Sequence, residues 1–371
     1  MVLKYSRRPY YADFSVTSRC NLKCDFCSAS APEYHSHVKY LNLKEIDRIL
    51  SQLDELGVLR VSLEGGEPFL RSDFIDIMKL ADKYDFEYYV NTNATLITSK
   101  IAKEIAKTNV SKVCISIDGP NEKIHDLCRG QNGAFQKTLS GVRMLHEANV
   151  SVDGIITLSK LNADHLIETI EFIGKLGINN VAIMLLASVG GASESMNDVY
   201  LPFEDWTNIL LKITDMKKNN NFTPSVNIVS TGESNCPWEL YAPLLLNQRE
   251  EDINVWIRSD ASTNFGEDEY FCTAGKDSIA IDGFGNVYGC SLMISETELS
   301  AGNLLEQELE EIWNGSKTFN AFRKNRLSDI KGPCASCSIL HKCGGGCRAC
   351  AFALNKDIEF SDTRCPMGVK S

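Results

Sequence analysis

Cys20, Cys24 and Cys27 stand in the spacing C-x3-C-x2-C. Three thiolates so close together form a metal-binding set, and the set is one short. Closing a tetrahedral zinc site takes four ligands, and so does holding a cubane of four irons. A cubane held by three protein thiolates would leave one iron open to a small molecule. A zinc knuckle, or disulfides with a spare thiol, are the other readings of this spacing. A second constellation lies near the C-terminus. It runs Cys272, Gly285-x4-Cys290, Cys334-x2-Cys337-x5-Cys343-x3-Cys347 and Cys365. Gly344-Gly345-Gly346 inside it would let the backbone curl tightly around metal. Four-cysteine zinc modules mimic parts of this pattern. Cys114, Cys128 and the lone Cys236 are expected to be packed thiols.

The elements that must position these groups alternate. Short apolar runs predict strands at Ala12–Thr17, Leu59–Leu63, Glu87–Asn91, Val113–Ile117, Val152–Leu158 and Asn180–Leu186. Between them, apolar residues recur at three- and four-residue spacing, most clearly over Leu43–Leu56 and Ala163–Leu176. Asn162 is the expected N-cap of the second helix, and Gly57 and Gly177 are the stop signals. Six strand–helix units in series predict a parallel sheet with right-handed crossovers. Reacting groups then gather at the C-terminal strand ends, where the first cysteine loop, Glu64-Gly65-Gly66-Glu67-Pro68, Asn91-Thr92-Asn93-Ala94 and Ser116-Ile117-Asp118-Gly119-Pro120 all fall. Ser188–Ser195 is rich in Gly and Ser, and Lys217–Ser225 is polar. Residues 188–271 therefore read as a bridge with helices near Phe203–Met216 and Trp238–Asn247. Ser278–Cys290 reads as a hairpin turning at Asp282-Gly283-Phe284-Gly285.

Composition narrows the class. The chain has 371 residues, 43% apolar and 23% charged, enough for a packed core. A net charge of −11 opposes a polyanion-binding surface, so nucleic acid is not an expected partner. No apolar run approaches the roughly 20 residues of a membrane span, and the first residues lack the apolar stretch of a signal peptide. Fourteen cysteines in a long chain without an export signal, grouped at metal-like spacings, point to metal rather than disulfides. A cytoplasmic location is expected.

The C-x3-C-x2-C loop with Phe26 before its third cysteine, the Gly-Gly-Glu-Pro turn and the Ser-x-Asp-Gly segment resemble the radical S-adenosylmethionine (SAM) superfamily. The resemblance implies a partial (β/α)6 TIM-like barrel over residues 1–187, in which Cys20, Cys24 and Cys27 hold a [4Fe-4S] cluster and SAM chelates the open iron. Gly65, Gly66 and Glu67 would bind the amino end of SAM's methionine, Ser116 would lie near the ribose, and Arg129 near the carboxylate. Asp118 matches the family segment or is simply a turn residue. Ala94 departs from the family's usual Gly. The later cysteines, with Gly302-Asn303-Leu304 through Glu311-Ile312-Trp313, resemble the SPASM extension, a small iron–sulfur domain over residues 272–371. It implies two auxiliary [4Fe-4S] clusters, one on Cys334, Cys337, Cys343 and Cys365, the other on Cys272, Cys290 and Cys347. The fourth ligand of the latter is an open site, Cys350 or Asp277.

By the same resemblance, an electron from a ferredoxin- or flavodoxin-like donor cleaves SAM, and the resulting 5′-deoxyadenosyl radical takes hydrogen from substrate. The first expectation for that substrate is a ribosomally made peptide undergoing oxidation or cross-linking. The alternative is a small molecule such as a tetrapyrrole or cofactor precursor. Only about a dozen residues precede the first strand, so leader binding is expected to need a partner protein or the 188–271 bridge. A non-catalytic iron–sulfur or zinc protein would leave the SAM-type motifs without purpose.

Overall fold

The computed structural model describes residues 8–29, 39–229, 237–256, 268–362 and 364–365. Seven strands follow one another along one parallel sheet: β1 (Tyr11–Ser15), β2 (Arg60–Glu64), β3 (Glu87–Thr92), β4 (Val113–Ser116), β5 (Val152–Leu158), β6 (Asn180–Leu185) and β7 (Ser225–Ile228). The helices between them are α1 (Leu43–Glu55), α2 (Phe74–Ala81), α3 (Ser99–Ile105), α4 (Glu122–Arg129), α5 (Ala134–Glu147) and α6 (Leu166–Lys175). Local chemistry sets their limits. Asn42 caps α1 and closes a capping box with Glu45, while Gly57 supplies the left-handed turn after it. Ile46, Ile49, Leu50 and Leu53 of α1 are fully buried against the sheet, each contributing about 2 kcal/mol of transfer free energy.

Asn162 takes the N-cap position expected of it, but its side chain makes no capping bond. A 3-10 turn over Ala163–His165 precedes α6, and no side-chain bond caps the helix. Instead the Asn162 amide donates to the carbonyls of Asp118 and Thr157 at 3.0 Å each, and its Oδ1 accepts from the Ser159 N–H. It ties the ends of β4 and β5 together.

The sheet also extends past residue 187 in both directions. β7, from the expected bridge, pairs parallel with β6. At the other edge β8 (Ser278–Ile281) pairs parallel with β1, in register from Tyr11–Ser278 to Phe14–Ile281. The expected hairpin forms between β8 and β9 (Asn286–Tyr288), with Gly285 at φ +86, and β10 (Gly302–Asn303) completes the ten-stranded order β10-β9-β8-β1-β2-β3-β4-β5-β6-β7. The C-terminal cysteine region is thus built onto the strand that carries the first cysteine loop. Helices form at Phe203–Lys218 and Pro237–Leu246. Cys236 lies outside the described residues. No helix among the described residues is long and apolar enough to cross a membrane.

Candidate active site

The first cysteine loop leaves β1 and runs beneath the turn after β2. The Gly66 N–H donates to the Thr17 carbonyl at 2.8 Å, and the Glu67 N–H to the Arg19 carbonyl at 2.8 Å. A Cβ on Gly66 would lie 2.3 Å from the Arg19 carbonyl oxygen, and one on Gly65, at φ +154, 2.2 Å from that of Thr17. Only hydrogen fits there. Gly66→Val is therefore expected to push the cysteine loop off its seat and to lower the iron that reconstituted protein retains, with the core intact. Iron content beside a circular-dichroism melt checks this, and a variant that keeps full iron would show the contact to be soft.

Glu67 is wholly buried, and its carboxylate is fully engaged. Oε1 accepts from the Thr92 hydroxyl at 2.8 Å and the Phe69 N–H at 3.1 Å, and Oε2 accepts from the Asn93 N–H at 2.8 Å. Burial pushes this carboxyl up to about 7, against those bonds. Glu67 locks the end of β3 to the glycine turn. Ala94, in place of the usual glycine, takes a left-handed φ of +59.

Arg129, the last residue of α4, reaches the cysteines. Its guanidinium lies 2.5 Å from the Asp118 carboxylate, 3.8 Å from the Cys24 sulfur and 5.5 Å from the centre of the Phe26 ring. Burial works against its charge, but Asp118 and Cys24 hold it protonated. Its buried Nε has no hydrogen-bond partner among the described residues, leaving a strong donor beside the thiols. Asp118 is fully buried and also accepts the Thr157 N–H at 2.8 Å. His125 receives the Asp118 N–H on Nδ1 at 3.3 Å. Burial, then Arg129, pushes it down to about 3, so it stays neutral. Ser116 ends β4, partly exposed.

The segment read from sequence as a Gly/Ser-rich bridge is a clamp on the same loop. The Gly191 N–H donates to the Cys27 carbonyl at 3.0 Å, and the Ser195 hydroxyl to the Asp25 carbonyl at 2.5 Å. A Cβ on Gly190, at φ +57, would meet the Ser28 carbonyl oxygen at 2.2 Å. The paired glycines are the one sequence signal of so close an approach.

The C-terminal thiols gather into two nests. Cys334 and Cys337 interact electrostatically, as does Cys343 with Cys365 and Cys334. Cys272, Cys290 and Cys347 line one small cavity. Asp362 spans the two nests, accepting the Cys347 N–H and the Arg364 guanidinium on Oδ2 at 2.8 and 2.9 Å. Cys114 and Cys128 are buried elsewhere, and the thirteen described cysteines are all free thiols.

These residues fit the groups that the motifs imply. Three thiols share one loop beside an unsatisfied arginine donor, under a turn that admits no side chain. Burial drives Cys20 up to about 12 and raises Cys24, so positive metal is needed to hold them as thiolates. Among the described residues no three His, Cys, Asp or Glu groups close around a single ion.

The sheet face opposite the helices is polar and acidic. The Tyr11 hydroxyl donates to Asp13 at 2.6 Å and lies 2.7 Å from that of Tyr89, and the Asn91 amide donates to Glu64 at 2.8 Å. Burial, then the Asp13 charge, pushes Glu64 up to about 8. In the folded chain Glu64 keeps a proton that the unfolded chain loses near pH 4, so it costs stability as pH rises from about 4 to about 8. Glu64→Gln is expected to flatten that decline, read as urea midpoints at pH 5 and 8. An unchanged slope would remove Glu64 as its source.

A cysteine loop at the end of β1, a glycine turn after β2 and a thiol-rich extension are built onto the same sheet. Residues 14–173 match the radical SAM superfamily and residues 272–338 match SPASM, an iron-sulfur cluster-binding domain. The chain belongs to the radical SAM superfamily and carries a C-terminal SPASM domain, and these two domains imply SAM and iron–sulfur clusters. It is similar to the AdoMet-dependent heme synthase of Methanosarcina barkeri, 26% identical with 98% of each chain covered. It is also similar to the mycofactocin maturase MftC of Mycolicibacterium smegmatis, 25% identical over 97% of this chain and 83% of the relative. Among solved structures, Streptococcus suis SuiB bound to precursor peptide SuiA shares the fold, with a TM-score of 0.77 at 20% identity, covering 98% of this chain and 77% of that one.

Proposed function

We propose that the chain is an oxidative peptide-modifying enzyme whose reaction centre lies at the Cys20–Cys24–Cys27 loop. The chemistry supplied there by a bound [4Fe-4S] cluster and SAM is reductive cleavage of SAM and abstraction of a hydrogen atom from the substrate. The three cysteines would hold the cluster. Gly65 and Gly66 keep the loop within reach of a ligand at the strand ends. Arg129, aimed by Asp118, offers its unsatisfied Nε to the SAM carboxylate, and Phe26 packs under the guanidinium. Glu67 serves the site by holding the Gly-Gly turn rather than through its own oxygens. Ser116, at the end of β4, is in place to meet the ribose. Residues 1–187 with β7 form the catalytic unit. Residues 272–371 form the auxiliary unit, with a cluster on each thiol nest. An electron donor of the ferredoxin or flavodoxin class completes the system.

The observation that favours a peptide is the polar, hydrogen-bonded sheet face. Asp13, Glu64 and Asp153 stand there against Lys112, which is already paired with Asp153 at 2.8 Å. With Glu64 keeping its proton to about pH 8 and Asp153 paired with Lys112, this face is polar with little net charge, and suits neutral side chains better than ionised propionates. MftC, a maturase, agrees with this reading. The second reading, a tetrapyrrole, rests on the end-to-end similarity to a heme synthase. Reconstituted protein should be given SAM and dithionite with either peptides from its own genomic neighbourhood or an iron porphyrin carboxylate. Product mass and the porphyrin spectrum are then followed. Conversion of the porphyrin, with every peptide untouched, would establish the second reading and end the first.

A further inference from the structure

Each polar atom of Asp118 is held by a different residue, and one of those residues reaches the cysteine loop. The Asp118 N–H donates to His125 Nδ1 at 3.3 Å, and its Oδ1 accepts from the Thr157 N–H at 2.8 Å. Its carbonyl accepts from the Asn162 amide at 3.0 Å, with the Cys128 thiol farther off at 4.0 Å. That leaves Oδ2 against the Arg129 guanidinium at 2.5 Å. Asp118 is fully buried, and His125 and Asn162 are each 1% exposed.

The grip comes from two sides. His125 and Arg129 stand one turn apart on α4, so the helix holds Asp118 at two points, its N–H and its carboxylate. Gly119 lets α4 come this close, since a Cβ there would lie 2.5 Å from the His125 backbone nitrogen. His125 accepts on Nδ1 only as the neutral ring, and burial keeps it neutral. On the other side, the loop between β5 and α6 supplies Asn162. Its amide spans the carbonyls of Asp118 and Thr157, and its Oδ1 is fixed by the Ser159 N–H at 2.9 Å. A buried amide with every polar atom bonded is rigid, so it holds the Asp118 carbonyl in one place.

We propose that His125 and Asn162 are positioning residues for SAM binding, which fix Asp118 so that its carboxylate aims the Arg129 guanidinium at the carboxylate of SAM. The assignment rests on the role given to Arg129 above and supplies its cause. A long side chain loses rotamer freedom when it grips a ligand. A partner locked by the fold removes that freedom before the ligand arrives, and affinity rises accordingly.

The test measures SAM binding by calorimetric titration of full-length, anaerobically reconstituted protein, with iron content and a thermal melt for each variant. Asn162→Ala should weaken SAM binding by about tenfold at unchanged iron, the scale on which bonds behind a ligand-holding residue are felt. On an Arg129→Ala background the same substitution should change affinity by less than about twofold, because its effect passes through the guanidinium. Losses of equal size on both backgrounds would show a general disturbance of the pocket and overturn the assignment. Iron falling in step with affinity would place the action on the cysteine loop and overturn it too. His125 provides a measurement that does not depend on how Asn162→Ala folds. His125→Asn keeps an acceptor near the place of Nδ1 and should retain most of the affinity, whereas His125→Leu should lose about as much as Asn162→Ala. Full affinity in His125→Leu, or equal losses in both, would overturn the role of His125. If the unaltered chain takes up no SAM, or Arg129→Ala binds it undiminished, the underlying reading falls, and neither result involves a substitution at His125 or Asn162.

Discussion

Replacement of Cys20, Cys24 and Cys27 by Ala is expected to remove about a third of the iron from the reconstituted chain and all release of 5′-deoxyadenosine. The reason is separation. The three thiols sit on one loop at the end of β1, whereas the C-terminal thiols occupy nests built from β8–β9 and the segments after it. Emptying one site leaves the others standing. Iron and sulfide analysis with product chromatography measures both effects. Retained cleavage activity would place SAM elsewhere, and stoichiometric zinc in well-folded protein would remove the radical chemistry altogether.

Arg129→Ala carries the second large effect, and it has two parts. Loss of a charge-assisted bond should weaken SAM binding by about 1.5–3 kcal/mol, roughly 10- to 150-fold. The substitution also strands the buried Asp118 carboxylate, which should cost about 3–5 kcal/mol of stability. Combining it with Asp118→Asn should recover much of the stability without recovering SAM affinity. Binding isotherms and urea unfolding on the three proteins resolve the two contributions. If the single variant binds SAM as the unaltered chain does, Arg129 is a structural partner of Asp118 and the carboxylate site lies elsewhere.

Features governed by near neighbours along the chain are legible in the amino-acid sequence. The turn at Gly57 and the Asp282–Gly285 hairpin depend on groups a few residues apart, and each forms where periodicity and residue type place it. The strand–helix alternation belongs with them, because apolar spacing along one segment decides which face it buries. Asn162 shows the limit. Its type suits a helix cap, but two carbonyls from β4 and β5 compete for its amide and win.

Long-range pairing decided the rest. No local pattern announces that Ser278–Ile281 will lie beside β1, or Ser225–Ile228 beside β6, since a strand's partner depends on backbone edges left free by the whole sheet. The same holds at the site. The family resemblance named Glu67, Asp118 and Arg129. Only the fold shows that the Glu67 carboxylate is spent on Thr92, Asn93 and Phe69, that Asp118 aims Arg129, and that Gly190 and Gly191 press on the cysteine loop. The amino-acid sequence by itself determined which atoms are available to bind metal and SAM, because ligand chemistry belongs to residue type and short spacing. Tertiary structure decided which of them face open space and which are consumed in bonds to one another, because burial and hydrogen-bond partners arise only when distant segments meet.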